Sequence, residues 1–166
     1  MNKDDNNSTN RVLIVGLGGI GSNLLDLVVP VLSKSMQSLE IHLMDDDLVV
    51  LSNLAHQRFA ESDIGLSKAE TLAARYQKSD NLTIISHVEK LTTSSQLIGY
   101  DLIIVAVDND APRKLVHRYG ILWADLRCQG DGWIIIDNDT DTSKIAKLPA
   151  QKQPTSCQLP LSLIHI

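Results

Sequence analysis

The 166 residues, 43% hydrophobic and 21% charged, suffice for one globular domain with a sizeable core. A formal net charge of −5 with no lysine or arginine run leaves no footprint for nucleic-acid binding. No apolar run approaches the roughly 20 residues that cross a bilayer, the polar start lacks a signal core, and Cys128 and Cys157 stand too far apart to write a disulfide framework or a complete zinc site, so the expectation is a cytoplasmic protein with no membrane partner.

Residues 1–10 are almost wholly polar and read as a disordered tail. Val12, Leu13, Ile14 and Val15 then run as a strand into Gly16, Gly18, Gly19 and Gly21, which carry the spacing Gly-x-Gly-x-x-Gly. Gly16 permits a tight turn, Gly18 removes a Cβ that would block a phosphate, and Gly21 lets helix and strand pack closely. An amphipathic helical pattern begins at Leu24 and continues through Leu25, Val28, Val31 and Leu32, with Pro30 as a kink. The N-terminal N–H groups of that helix face an anion. Nicotinamide, flavin and ATP enzymes share this fingerprint, so the partners further along the chain must decide among them.

Residues 39–44 read as a second strand that delivers Asp45, Asp46 and Asp47 at its carboxyl end, where a dinucleotide fold places a ribose-binding carboxylate. Residues 48–59 read as a loop with a short helical turn, bearing Asn53, His56 and Gln57. A helix follows over residues 68–77, entered through Gly65 and Ser67. Lys68 in its first turn opposes the helix dipole, and an unpaired lysine there points to an anionic ligand. Residues 82–88 form a third strand, 94–99 a helical turn, and 102–107 a buried parallel strand ending at Asp108 and Asn109. Ala111, Pro112 and Arg113 open a helix through about Trp123, and two short strands follow at 124–128 and 133–137. Strands alternating with helices give a doubly wound, mostly parallel α/β sheet of Rossmann type, whose ligands bind at the carboxyl ends of the strands.

From Asn138 periodicity is lost, and residues 138–160 read as a linker toward a further C-terminal part. Residues 161–166, Leu-Ser-Leu-Ile-His-Ile, match one reading frame of a widely used sequencing adapter and are expected to be non-native read-through.

The combination of Gly16, Gly18, Gly19 and Gly21 with Asp45, Asp47, Asn53, Leu54, Gln57, Gly65, Lys68, Ala69, Glu70, Asp108, Asn109 and Arg113 resembles the adenylation domain of E1-like activating enzymes over about residues 11–137. These include ubiquitin-activating enzymes and bacterial relatives in thiamine and molybdopterin biosynthesis. The resemblance implies that ATP and Mg²⁺ are used to adenylate the C-terminal carboxylate of a ubiquitin-like or sulfur-carrier protein, in a homodimer or an E1-like heterodimer. It implies that the glycine turn approaches the nucleotide, Asp45 holds the ribose, Asn53 and Lys68 contact phosphates, Asp108 holds magnesium, and Arg113 braces that loop or forms a helix salt bridge. Two departures stand out. His56 occupies the place of an arginine that precedes Gln57 in the family, with Arg58 two positions on as a possible substitute cation. The polar start supplies no helix before the first strand, the element from which bacterial members offer an arginine across the dimer.

Two other readings stay open on the residues alone: a catalytically inactive E1-like module that binds a ubiquitin-like protein or partner subunit, favoured by His56, and a nicotinamide-dependent oxidoreductase, which the glycine turn and Asp45 alone would fit. Cys128 is expected in the core. Cys157, in a polar loop, is expected to be exposed, as a zinc ligand, an acceptor of the activated carboxylate or an incidental thiol.

Overall fold

A computed structural model describes residues 9–35, 37–77, 81–129 and 132–145. Most of the expected tail, Cys157, the later part of the expected linker and residues 161–166 lie outside them. Six strands form one sheet: β1 (Asn10–Val15), β2 (Leu39–Met44), β3 (Leu82–His87), β4 (Leu102–Val105), β5 (Leu122–Gln129) and β6 (Gly132–Asp137), in the order β3-β2-β1-β4-β5-β6. All neighbours are parallel except β5 and β6. The chain is thus a mostly parallel, doubly wound α/β fold, and the strand order reverses between β1 and β4.

Alternation along each strand decides what covers each face. Ile14, Ile41, Leu43, Leu82 and Ile84 point to one side, where they bury Leu25 and Val29 of α1 (Gly19–Leu32) and Ala69, Leu72 and Ala73 of α2 (Lys68–Tyr76). Leu13, Val15, Met44, Ile103 and Val105 point to the other, against Leu91, Leu97 and Val116 of α3 (Asp110–Tyr119). Central strands covered on both faces need apolar residues at nearly every position, which is why residues 12–15 and 102–105 read as unbroken runs.

Several boundaries differ from the sequence reading. Asn10 is already in β1. Helix α1 starts at Gly19 rather than Leu24, because its first turn is glycine-rich and shows no apolar stripe although it is hydrogen-bonded, with Ser22 N donating to Gly18 O at 3.0 Å. Helix α3 stops at Tyr119 rather than near Trp123, because Gly120 adopts φ +83 and turns the chain into β5. Within the expected linker a short helix, α4 (Thr142–Ile145), forms, and Ile145 packs against the second core.

Gly16 is where sequence and geometry are tightest. Its φ is +92, and a Cβ there would lie 2.8 Å from both Ala106 O and Val107 Cγ1. Gly21 is held as closely, since its Cβ would fall 2.0 Å from Gly16 O. Gly16→Ala is therefore expected to destabilise the fold by more than the ~1–2 kcal/mol of left-handed backbone strain alone, read as a lower urea midpoint. A shift of a few tenths of a kcal/mol would show that the β4 exit yields.

Candidate functional site

At the carboxyl ends of β1, β2 and β4 lies a cavity of about 550 Å³. Gly16, Gly18, Gly19, Asp45, Asp47, Asn53, His56, Lys68, Asp108 and Arg113 all line it. Of the residues expected to hold nucleotide or metal, Gly21 alone does not; it packs beneath the turn against Gly16.

The glycine turn is clamped by Asp45. Its Oδ2 accepts from Leu17 N at 2.7 Å and its Oδ1 from Asp47 N at 2.9 Å. Burial pushes the Asp45 carboxyl above the usual carboxylate range, against the pull of these two N–H groups and of Lys68. Above the turn there is room: a Cβ on Gly18 would find only Gln57 Nε2, at 3.9 Å. Gln57 lines the cavity too, and its Oε1 is buried with no hydrogen-bond partner among the described residues. A cradle open at Gly18 beside a buried unpaired polar atom suits an anionic ligand with further hydrogen-bonding groups.

Lys68 is not unpaired, as the sequence suggested. Its Nζ donates to Asp47 Oδ2 at 2.8 Å and its backbone N–H to Asp47 O at 3.0 Å, with the side chain 6% exposed. The carboxylate two residues beyond Asp45 offsets the unfavourable helix dipole, which sequence spacing alone did not show. Asp47 is itself 62% exposed, so the pair sits at the cavity wall with one face to solvent. Asn53, 7% exposed, accepts from Val50 N through Oδ1 at 3.0 Å, which fixes its carboxamide at the end of a 3₁₀ turn, Leu51–Asn53.

His56 faces the cavity from a loop bound to α1. Asn23 Nδ2 donates to its carbonyl at 3.3 Å, and Ser22 Oγ accepts from Arg58 N at 3.1 Å. Arg58 does not replace the missing arginine; its Nε pairs with Asp26 Oδ2 at 2.7 Å, and it does not line the cavity.

Arg113 braces the loop that ends at Asp108 and does so through an ion pair. Its guanidinium is buried in an ion pair with Asp125 of β5 and also donates to Val107 O and, at 3.5 Å, to Leu126 O. It therefore braces the segment that ends at Asp108 while lining the cavity. Asp125, fully buried, also receives Arg127 Nη2 at 2.7 Å and His117 Nε2 at 3.0 Å. Burial first, then the Arg127 and Arg113 guanidiniums, push His117 down to about 4, so it enters this network neutral. Sequence reading missed the network because its members lie on α3 and β5 and meet only through topology.

Asp108 is exposed at the cavity, with no ion-pair partner among the described residues. The Asp45, Asp46 and Asp47 carboxylates also cluster, but Lys68 pairs with Asp47 and Lys90 with Asp46 at 3.2 Å. Asp108, like Asp45, forms no ion pair among the described residues, and carboxylate oxygens are the ligands a hard cation such as magnesium takes. Glu89, Lys90, Leu91 and Thr92, unremarked in the sequence, complete the rim from the exit of β3. Cys128, expected in the core, is half-buried and lines the cavity. Among the described residues no helix is long and apolar enough to cross a membrane.

Several known proteins resemble this chain. The chain is 33% identical over 144 residues to the Nedd8-activating enzyme E1 catalytic subunit of Drosophila melanogaster, covering 83% of this chain and 29% of that one. It is 30% identical over 114 residues to the SAMP-activating enzyme E1 of Haloferax volcanii, covering 66% of this chain and 40% of the relative. Among solved structures it superposes on E. coli MccB bound to MccA-N7isoASN with a TM-score of 0.65 at 17% identity, over 91% of this chain and 53% of that chain. It also superposes on the E. coli tRNA N6-threonylcarbamoyladenosine dehydratase TcdA bound to ATP, with a TM-score of 0.60 at 22% identity, over 74% and 53%. The chain thus spans less than half the length of these curated relatives and about half that of the solved structures. With the ThiF family model matching residues 3–160, the chain belongs to the ThiF family.

Proposed function

We propose that the chain is the adenylation part of an E1-like activating enzyme, which binds ATP with Mg²⁺ and adenylates the C-terminal carboxylate of a ubiquitin-like or sulfur-carrier protein. A carboxylate oxygen attacks the α-phosphorus, the bond to the β-phosphate bridging oxygen breaks, and pyrophosphate leaves with the acyl adenylate behind it. The observation that carries this reading is that the glycine turn, Asn53, Lys68 and Asp108 line one cavity at the point where the strand order reverses. A nicotinamide enzyme would need the glycine turn and Asp45 but gives no account of the other three. The E1 names of the curated relatives and the ATP in TcdA support the same direction.

In this reading the residues act by placement and charge. The turn's N–H groups and Lys68 hold phosphate oxygens, with Asp47 keeping the ammonium in place. Asp45 fixes the turn and offers its remaining lone pairs to ribose hydroxyls. Asp108 would hold magnesium, which neutralises triphosphate charge when bound. Residues 11–137 form the catalytic unit, and the chain beyond residue 138 leads to further domains. The chain pairs with a second subunit, in a homodimer or an E1-like heterodimer.

Calorimetry with ATP·Mg²⁺ and, separately, NADH tests the nucleotide. Saturable ATP binding is expected, and NADH binding without ATP binding would overturn the reading. His56→Arg is expected to lower the ATP dissociation constant several-fold, because a guanidinium supplies a permanent charge and a fork matched to phosphate oxygens. Unchanged or weaker binding would show that His56 serves another contact. His56 also favours a second reading, an inactive module that binds a carrier without activating it; that reading predicts carrier binding with no pyrophosphate exchange.

A further inference from the structure

Glu89, Lys90, Leu91 and Thr92 wall the cavity on its β3 side, yet residues 88–93 belong to no helix or strand. No backbone–backbone hydrogen bond among the described residues involves 89–92. A loop built this way needs another source of order, and one side chain supplies it. Gln96, on the 3₁₀ turn Ser94–Leu97, accepts through Oε1 from Thr92 N at 2.8 Å and from Thr93 N at 3.0 Å. Its Nε2 donates to Lys90 O at 2.9 Å and to Glu89 Oε2 at 3.0 Å.

These contacts use both lone pairs and both N–H groups of the carboxamide. They also fix which way it points, since the reverse orientation would set its NH₂ against the N–H groups of Thr92 and Thr93. The anchor beneath is firm: Leu97, the next residue, is fully buried in the same core as Leu91. The other polar tie is weaker. Lys90 pairs with Asp46 at 3.2 Å, but the lysine is 71% exposed and such pairs contribute little. Gln96 does not itself line the cavity, so it reaches a ligand only through residues 89–92.

We propose that Gln96 is a positioning residue of the nucleotide site, holding residues 89–92 in the shape that receives the nucleoside end of ATP. This rests on the ATP reading above. In the sheet order β3-β2-β1-β4, phosphates on the glycine turn after β1 and a ribose at Asp45 after β2 direct the base toward the exit of β3, which is this segment. A segment already ordered loses less freedom when its ligand arrives, so the carboxamide raises affinity without touching the reacting groups. The phosphate contacts lie on other elements, Lys68 opening α2 and Asp108 preceding α3, and do not depend on it.

The test is calorimetry of the full chain with ATP·Mg²⁺ and, separately, with tripolyphosphate·Mg²⁺, which carries phosphates and no base. Gln96→Met removes every one of these bonds. Gln96→Glu, which should fold even where the first does not, keeps the acceptor but loses both donors and sets a carboxylate against Glu89. Each variant is expected to weaken ATP binding at least about fivefold, the scale of one net hydrogen bond, while tripolyphosphate affinity stays within about twofold of wild type. Amide hydrogen exchange is expected to quicken at Thr92 and Thr93 and to stay unchanged in the sheet. ATP affinity within about twofold of wild type in both variants would overturn the proposal. So would an equal loss of ATP and tripolyphosphate binding, which would show general damage to the cavity. A wild-type chain that binds tripolyphosphate but not ATP would overturn the ATP reading itself, and that outcome is seen before any variant is made.

Discussion

Asp125→Ala is expected to destabilise the protein by about 3–5 kcal/mol, the range for removing one partner of a buried ion pair. The carboxylate is fully buried and Arg113 2% exposed, so the substitution leaves the Arg113 guanidinium without its counter-charge and strips Arg127 and His117 of a shared acceptor. Because Arg113 also donates to Val107 O, the approach to Asp108 should loosen, so surviving protein should bind nucleotide more weakly. Urea denaturation measures the first effect. Combining Asp125→Ala with Arg113→Met should cost less than the sum of the single changes, since the second removes the stranded charge. Additive costs, or a loss under about 1 kcal/mol, would show that Asp125 does not hold the network together.

Asp108→Ala is expected to leave stability within about 0.5 kcal/mol of wild type, as for an exposed residue away from special features. The same change should lower magnesium-dependent turnover by at least about 100-fold, in line with removing one preorganised electrostatic group. The pairing of these outcomes is diagnostic. A structural carboxylate would lose stability, whereas a metal-holding one loses rate. Turnover within a few-fold of wild type would move the magnesium site to the Asp45, Asp46 and Asp47 cluster, where Lys68 and Lys90 now compete for the oxygens.

The sheet was legible because period and punctuation agree along it. Unbroken apolar runs at 12–15 and 102–105 mark strands covered on both faces, and Gly16 marks a backbone position that only glycine fits. Residues lining the cavity were legible where motif spacing carries chemistry, as at Asn53, Lys68 and Asp108. Pairing was not legible. That Lys68 meets Asp47 depends on the chain folding back, with Leu48 bridged to Ser67, and no local pattern encodes it. The Asp125 network is likewise a product of strand order. The end of α3 had a local signal, Gly120, that the helical stripe running on toward Trp123 obscured.

The most direct test of the central claim is ATP–pyrophosphate exchange with the full-length protein and candidate carrier proteins. The account predicts magnesium-dependent exchange that requires the carrier's C-terminal glycine carboxylate and disappears in Asp108→Ala. Carrier binding without exchange, under conditions where ATP saturates the site, would contradict it.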